Sequence, residues 1–195
     1  MNADILERAA KVKLLLMDVD GVLTDGTYFH VPGPAGDWVE TKAFNTQDGI
    51  ALKWLHEAGI AAGLISGRKS RAVELRAEQG RFKYVYQGNT EKIPMLEEIL
   101  ADSGLNGEQV GYIGDDFTDV VIMHRIGFAV ATANARPEVK REAHFTTAAA
   151  GGEGAVRETI ELILKAQALW EGVLKHYEIG SVPRQAASGA DTNQW

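Results

Sequence analysis

Cysteine is absent from all 195 residues, so neither a disulfide framework nor a thiolate metal site can form. No apolar run approaches the roughly 20 residues that cross a bilayer. The opening MNADILERAAKVK lacks the charged-then-apolar order of a signal peptide. Positive charge is the scarcer sign: 20 Lys and Arg against 27 Asp and Glu leave a formal net charge of -7. That balance argues against nucleic acid or an anionic membrane as the main partner, although one local pocket of opposite sign can still receive a small anion. These absences lead us to expect a cytoplasmic protein. With 45% hydrophobic and 24% charged residues, the chain has the make-up of a single globular domain with a sizeable core.

Short, continuously apolar runs recur at Leu14 to Met17, Ala61 to Ile65, Tyr84 to Tyr86, Val110 to Ile113 and Phe128 to Val130. Such runs suit strands buried on both faces of a parallel sheet. Helical patterns fall between them, at about 48–58 before Gly59, 70–79 before Gly80, 93–101, 117–124 and 136–142. The alternation predicts an α/β fold, a three-layer, doubly wound parallel sheet of Rossmann type, whose ligands bind at the carboxyl ends of the strands. TYFHVPGPAGDWVETKAF, residues 27–44, instead reads as a hairpin around a Pro/Gly turn, inserted after the first strand. From about residue 156, apolar residues return at helical spacing and then fade into a polar tail. We therefore expect one domain over residues 1–175, with an oligomerising hairpin at 26–44, and a polar tail at 176–195 in which GSVPRQAASGADTNQW, residues 180–195, predicts little order of its own.

Three of these strands end in polar residues: Asp18-Val19-Asp20-Gly21, Ser66-Gly67-Arg68 and Gly114-Asp115-Asp116. A parallel sheet gathers them along one edge. Two carboxylates at ~4 Å repel by about 1 kcal/mol in water and about 4 kcal/mol at an effective dielectric of 20, so a cation must offset them. An oxygen-only donor set favours Mg²⁺. A Ca²⁺-binding EF-hand loop starting at Asp18 fails, because its Gly position holds Leu23 and its final Glu position holds Phe29. Asp116, three residues before Asp119, reads equally as a helix cap. Asp20 beside Gly21 is also compatible with a turn.

DVDGVLTDG, ISGR, Lys92 in GNTEK, and GDDFTD resemble, in order, the four motifs of the haloacid dehalogenase superfamily phosphatases. VLTDG, FNTQDG and GGEGAVRE are further similar to its capless branch of 3-deoxy-D-manno-octulosonate 8-phosphate phosphatases. The resemblance spans residues 12 to about 160. It implies that Asp18 is the nucleophile, forming an aspartyl phosphate, and that Asp20 is the general acid and base. It implies Mg²⁺ held by the carboxylates of Asp18 and Asp115 and by the backbone carbonyl of Asp20. Ser66, Gly67 and Lys92 are implied as phosphate donors, with Thr24 and Asp25 in a loop that shapes the site and Asp119 ordering the metal loop. Each residue type suits its role: an Asp carboxylate is ionised at neutral pH, and a helix N-terminus such as that after Ser66 attracts anions. Lys92 otherwise reads as a surface lysine, mildly disfavoured by the helix dipole.

Little chain is left for a cap domain between Gly26 and Ser66 or between Lys92 and Asp115. The site must then stay open or be closed by a neighbouring subunit. The hairpin's Tyr28, Phe29, Val31, Trp38 and Val39 form more apolar surface than a lone ribbon should show. The resemblance implies a homotetramer assembled through these hairpins, with each site completed by a neighbour. In GGEGAVRE, residues 151–158, glycines free the backbone to approach a ligand, and Arg157 offers a fork for a substrate carboxylate. A hinge with a surface arginine fits the same residues. Arg68 and Lys69 are the other candidates for carboxylate recognition. The implied substrate is a phosphorylated 2-keto-3-deoxy sugar acid, of eight carbons or, as an alternative, nine. A phosphatase-like domain kept only for oligomerisation is the non-enzymatic alternative, disfavoured by the presence of Asp18, Asp20, Lys92 and Asp115 together.

Overall fold

Residues 2–180 are described by the computed structural model. In chain order they form α1 (Ala3–Lys11), β1 (Leu14–Met17), β2 (Phe29–Pro32), β3 (Trp38–Thr41), α2 (Thr46–Glu57) and β4 (Ala61–Ser66). There follow α3 (Arg71–Gln79), β5 (Tyr84–Gln87), α4 (Ile93–Ser103), β6 (Val110–Gly114), α5 (Phe117–Met123) and β7 (Phe128–Ala131). The order closes with α6 (Pro137–Glu142), β8 (Phe145–Thr146), α7 (Ala155–Ala166) and α8 (Trp170–His176). Six parallel strands make the main sheet in the order β5-β4-β1-β6-β7-β8. The expected doubly wound α/β architecture is therefore present.

All four residues of β1 are buried, because helices cover both faces of the sheet. Leu15 and Met17 face one apolar layer with Ala9 of α1, Leu52 and Leu55 of α2, and Ile160 and Ile163 of α7. Leu14 and Leu16 face the other, with Leu96 and Ile99 of α4, Ile122 of α5 and Val139 of α6. This period-2 division is what makes the run unbroken in apolar character yet strand-like in structure.

β2 and β3 pair antiparallel as a separate two-stranded sheet, with Val31 opposite Val39. Phe29 and Trp38 on it are 60% and 70% exposed. Three elements go beyond the sequence expectation. α1 is capped by the Asn2 side chain, which accepts from the Asp4 N–H at 3.2 Å, and it packs on the main core through Ala9. β8 is a two-residue edge, too short to carry a periodic signal. α8 resumes helix after Ala168 takes a positive φ of 57°, because Trp170 and Tyr177 stack on Trp54, with ring centroids at 5.6 and 6.0 Å. Docked chain thus reaches two residues past 175; residues 181–195 of the expected tail lie outside the described residues. Among the described residues no helix is long and apolar enough to cross a membrane.

Candidate active site

Asp18 follows β1 directly, and its N–H donates to Ile113 O at 3.0 Å, continuing the ladder to β6 by one residue. The parallel register pairs Met17 with Leu64 and with Ile113, so Asp18, Ser66 and Asp115 emerge at the same edge. Carboxylate oxygens of Asp18, Asp115 and Asp119 lie within 4.8 Å of one another. Lys92 enters from the N-terminus of α4. Its ammonium meets Asp18 Oδ2 at 2.9 Å and Asp119 Oδ1 at 2.7 Å, and donates to Tyr112 Oη at 3.0 Å. A lysine only 1% exposed is tolerated because its three donors each have a partner.

Asp119 has little left to give a ligand. Its Oδ1 accepts from Lys92 and from the Tyr112 hydroxyl, at 2.6 Å, while Oδ2 accepts the N–H groups of Asp115 and Asp116 at 2.9 and 3.1 Å. It thereby orders the loop carrying Asp115. Asp116 caps α5, accepting from the Phe117 N–H at 2.7 Å, and so takes the cap alternative left open by the sequence. Asp115 Oδ1, by contrast, is buried with no hydrogen-bond partner among the described residues. Burial, then the carboxylates of Asp119, Asp18 and Asp116, push the Asp115 carboxyl up to about 8. Burial and Asp119 raise Asp18 to about 6, against the opposing pull of Lys92. Burial alone would lower the Lys92 ammonium, but Asp18 and Asp119 hold it above its ordinary value. Three clustered acids against one lysine leave the pocket short of positive charge, and the orphaned oxygen of Asp115 marks where a cation fits.

Asp20 lies on the other side of the loop. Its Oδ1 accepts from Lys42, and its Oδ2 is 3.7 Å from Arg68 Nε. Arg68 is also tied to Glu40 Oε2 at 2.6 Å, with its guanidinium 4.2 Å over the Tyr28 ring. Ser66 is buried at the end of β4, with Oγ accepting from the Arg68 N–H at 3.3 Å. An added Cβ at Gly67 would meet Thr90 Cγ2 at 3.6 Å, an ordinary van der Waals contact. Lys69 is exposed. Thr24 is buried and bonds Val19 O at 3.3 Å, while Asp25 accepts from the Thr27 N–H at 2.8 Å; both shape the turn into the hairpin.

Gly21 takes a φ of 86°, and a Cβ there would collide with the Asp115 carboxylate. The glycines of GGEGAVRE make their close approach to this same loop. Gly152 N–H donates to Val22 O at 3.0 Å, and Asn134 ties Gly151 to Gly21. Within one chain, Arg157 does not join the carboxylate cluster. Its Nε bonds Glu161 at 2.9 Å and its guanidinium covers Trp54 at 4.9 Å. Two residues at the cluster escape sequence reasoning. Tyr112 had a signal, since a tyrosine in a wholly buried strand needs a partner for its hydroxyl. Lys42 had none, because only the folding back of the hairpin brings it to Asp20.

The chain is 41% identical, over 169 residues, to the 3-deoxy-D-manno-octulosonate 8-phosphate phosphatase KdsC of Yersinia pestis, covering 87% of this chain and 88% of that one. The chain belongs to the 3-deoxy-D-manno-octulosonate 8-phosphate phosphatase family. A family model for haloacid dehalogenase-like hydrolases matches residues 76–159, which include Lys92, Asp115 and Asp119. Two solved members of the phosphatase family superpose closely. The Yersinia pestis enzyme gives a TM-score of 0.83, covering 88% of this chain and 91% of its own. The Moraxella catarrhalis enzyme, solved with a magnesium ion, a phosphate ion and a KDO molecule, gives 0.84 at 34% identity, covering 91% and 99%. The six-stranded sheet is thus the haloacid dehalogenase fold as this phosphatase family carries it.

Proposed function

We propose that this chain is a Mg²⁺-dependent phosphatase that hydrolyses 3-deoxy-D-manno-octulosonate 8-phosphate through an aspartyl phosphate. The observation that carries the reading is the orphaned Asp115 Oδ1 beside Asp18, with Lys92 as the cluster's buried cation. The carboxylates of Asp18 and Asp115 would hold the ion, together with the backbone carbonyl of Asp20. When bound, it offsets the charge between the attacking carboxylate and the phosphoryl group.

In this mechanism an Asp18 oxygen attacks phosphorus and the bond from phosphorus to the sugar oxygen breaks, Asp20 giving that oxygen its proton. Asp20, now a carboxylate, takes a proton from water as the water oxygen attacks the aspartyl phosphate. The bond from phosphorus to Asp18 then breaks, restoring Asp18 and releasing phosphate. Lys92, the Ser66 hydroxyl and the Gly67 N–H bind the non-bridging oxygens throughout, and Arg68 stands beside Asp20 at the sugar's end of the site. A phosphate-release panel tests the assignment: eight- and nine-carbon keto-sugar-acid phosphates against glucose 6-phosphate, each with and without Mg²⁺. We expect the eight-carbon substrate to lead in kcat/KM, and release that ignores Mg²⁺ or favours glucose 6-phosphate overturns the proposal.

Asp115 gives the metal site a pH signature. Its folded-state value, about 8, lies well above the ordinary value of an aspartate, so ionising it costs the folded state. Without metal, that contribution is intact below about pH 4 and is lost as the pH rises toward 8. Asp115→Asn should therefore melt higher than the unsubstituted chain at pH 8 without metal, show a smaller difference at pH 5, and lose the Mg²⁺-induced rise in Tm. A variant that still gains Tm with Mg²⁺ removes Asp115 from the ligand set.

The hairpin's exposed Phe29 and Trp38 support a homotetramer in which Arg157 meets the sugar acid's carboxylate in a neighbouring site. Sedimentation should give four copies. Phe29→Ser with Trp38→Ser should dissociate them and raise KM for the sugar acid while sparing that for p-nitrophenyl phosphate. A single-copy mass for the unsubstituted chain refutes the assembly.

A further inference from the structure

Lys42 is a hairpin residue that neither the sequence motifs nor the phosphoryl-binding groups account for. It follows β3 directly, its side chain is wholly buried, and its ammonium binds Asp20 Oδ1. Glu40 Oε1 stands 3.6 Å from the same ammonium and is otherwise without a partner, and the Tyr28 ring lies 5.6 Å away. Burying a lysine costs several kcal/mol unless ion pairs offset it. A position that only needed to close the hairpin against the domain would be served by an apolar residue.

We propose that Lys42 is a positioning residue for proton transfer: it fixes the Asp20 carboxyl so that Oδ2, not Oδ1, carries the transferable proton. This rests on the acid–base role proposed above for Asp20. An ammonium group only donates, so the oxygen it grips is kept as an acceptor. Oδ2 has no comparable donor, the nearest being Arg68 Nε at 3.7 Å. The proton therefore leaves Oδ2 for the sugar oxygen as the bond from phosphorus to that oxygen breaks, and in the second half-reaction it returns to Oδ2 from water. Because Lys42 sits on the hairpin arm, the arm's seating against Asp20 becomes part of catalysis.

The test is the first turnover, with enzyme in excess and Mg²⁺ present, where Asp20 acts only as an acid. Release of the leaving group is followed for 3-deoxy-D-manno-octulosonate 8-phosphate, whose alkoxide needs a proton, and for p-nitrophenyl phosphate, whose phenolate leaves without one. Asp20→Asn and Lys42→Met should each slow sugar release by about 100-fold or more and nitrophenolate release by less than about fivefold. The double variant should be no slower than Asp20→Asn, and Lys42→Arg should recover to within about tenfold of the unsubstituted rate. If Lys42→Met does not fold, Lys42→Gln, which keeps a donor without the charge, is judged by the same selectivity. Equal slowing of both substrates by the Lys42 variant, or no slowing of either, overturns the proposal while a selective Asp20→Asn keeps the acid–base reading. An unselective Asp20→Asn overturns that reading and, with it, the role of Lys42.

Discussion

Asp18→Asn is expected to stop phosphate release almost completely, lowering the rate by roughly four orders of magnitude or more, the scale of losing a covalent nucleophile. The amide keeps the shape of the carboxyl, and the backbone bond to Ile113 O does not involve the side chain. Removing this charge also relieves Asp115, which Asp18 helps to push up to about 8. The metal-free variant should therefore fold, the relief of Asp115 at pH 8 opposing the loss of the Asp18–Lys92 pair, with Lys92 still paired to Asp119. Hydroxylamine trapping of labelled phosphate should mark residue 18 in the unsubstituted enzyme and nothing in the variant. A folded Asp18→Asn that turns over within about a hundredfold of the unsubstituted rate removes it as the nucleophile.

Lys92→Met should damage both stability and activity. It strips the ammonium from Asp18 and Asp119 at once, leaving Asp18 with only the Val19 N–H as partner among the described residues. Breaking a buried ion pair by removing one side typically costs about 3–5 kcal/mol, which for a chain of this size lowers Tm by roughly 10 °C. The sign of the pH effect follows from Asp18, which burial and Asp119 already hold at about 6 with Lys92 pulling it down. Without Lys92 the carboxyl rises further. The deficit is thus largest in metal-free protein above about pH 6 and shrinks on acidification, as Asp18 takes up a proton and no longer needs a cation. Turnover should fall by about 100-fold or more, since the phosphoryl oxygens lose the same ammonium. A variant with unchanged Tm at pH 8 would falsify the ion-pair account, and full activity in a folded variant removes Lys92 from phosphate binding.

Much of this was readable beforehand, for a definite reason. The strands of a two-sided parallel sheet are the most apolar runs in the chain, and their carboxyl ends are where polar residues interrupt them. Asp18, Ser66 and Asp115 stand at such interruptions, so one pattern located both the sheet and the site. The loop-ordering role of Asp119 came from the family resemblance, its spacing to Asp116 suggesting only a helix cap. Lys92 reads as a phosphate clamp in preference to a surface lysine, but a helix N-terminus reveals nothing of where a long, flexible side chain ends, so its pairing with Asp18 and Asp119 needed the fold. Tyr112 sits in an apolar strand, where its hydroxyl signals a need for a partner but not which one. Lys42 passed as one more hairpin polar residue. α1 and α8 were not anticipated, because their packing partners on α7 and around Trp54 lie far away in sequence.

By itself, then, the sequence determined the layered α/β frame and the order of acids along its edge, because local periodicity and strand termini are written in adjacent residues. Which acid is left wanting a cation was decided by tertiary structure alone. Asp119 is saturated by two backbone N–H groups, Tyr112 and Lys92, whereas Asp115 keeps a bare oxygen. The fold likewise joined Lys42 to Asp20 across 22 residues, and kept Arg157 on Trp54 and away from the acids of its own chain. Those outcomes depend on distances between groups remote in sequence, and only burial in one low-dielectric pocket makes such distances energetically decisive.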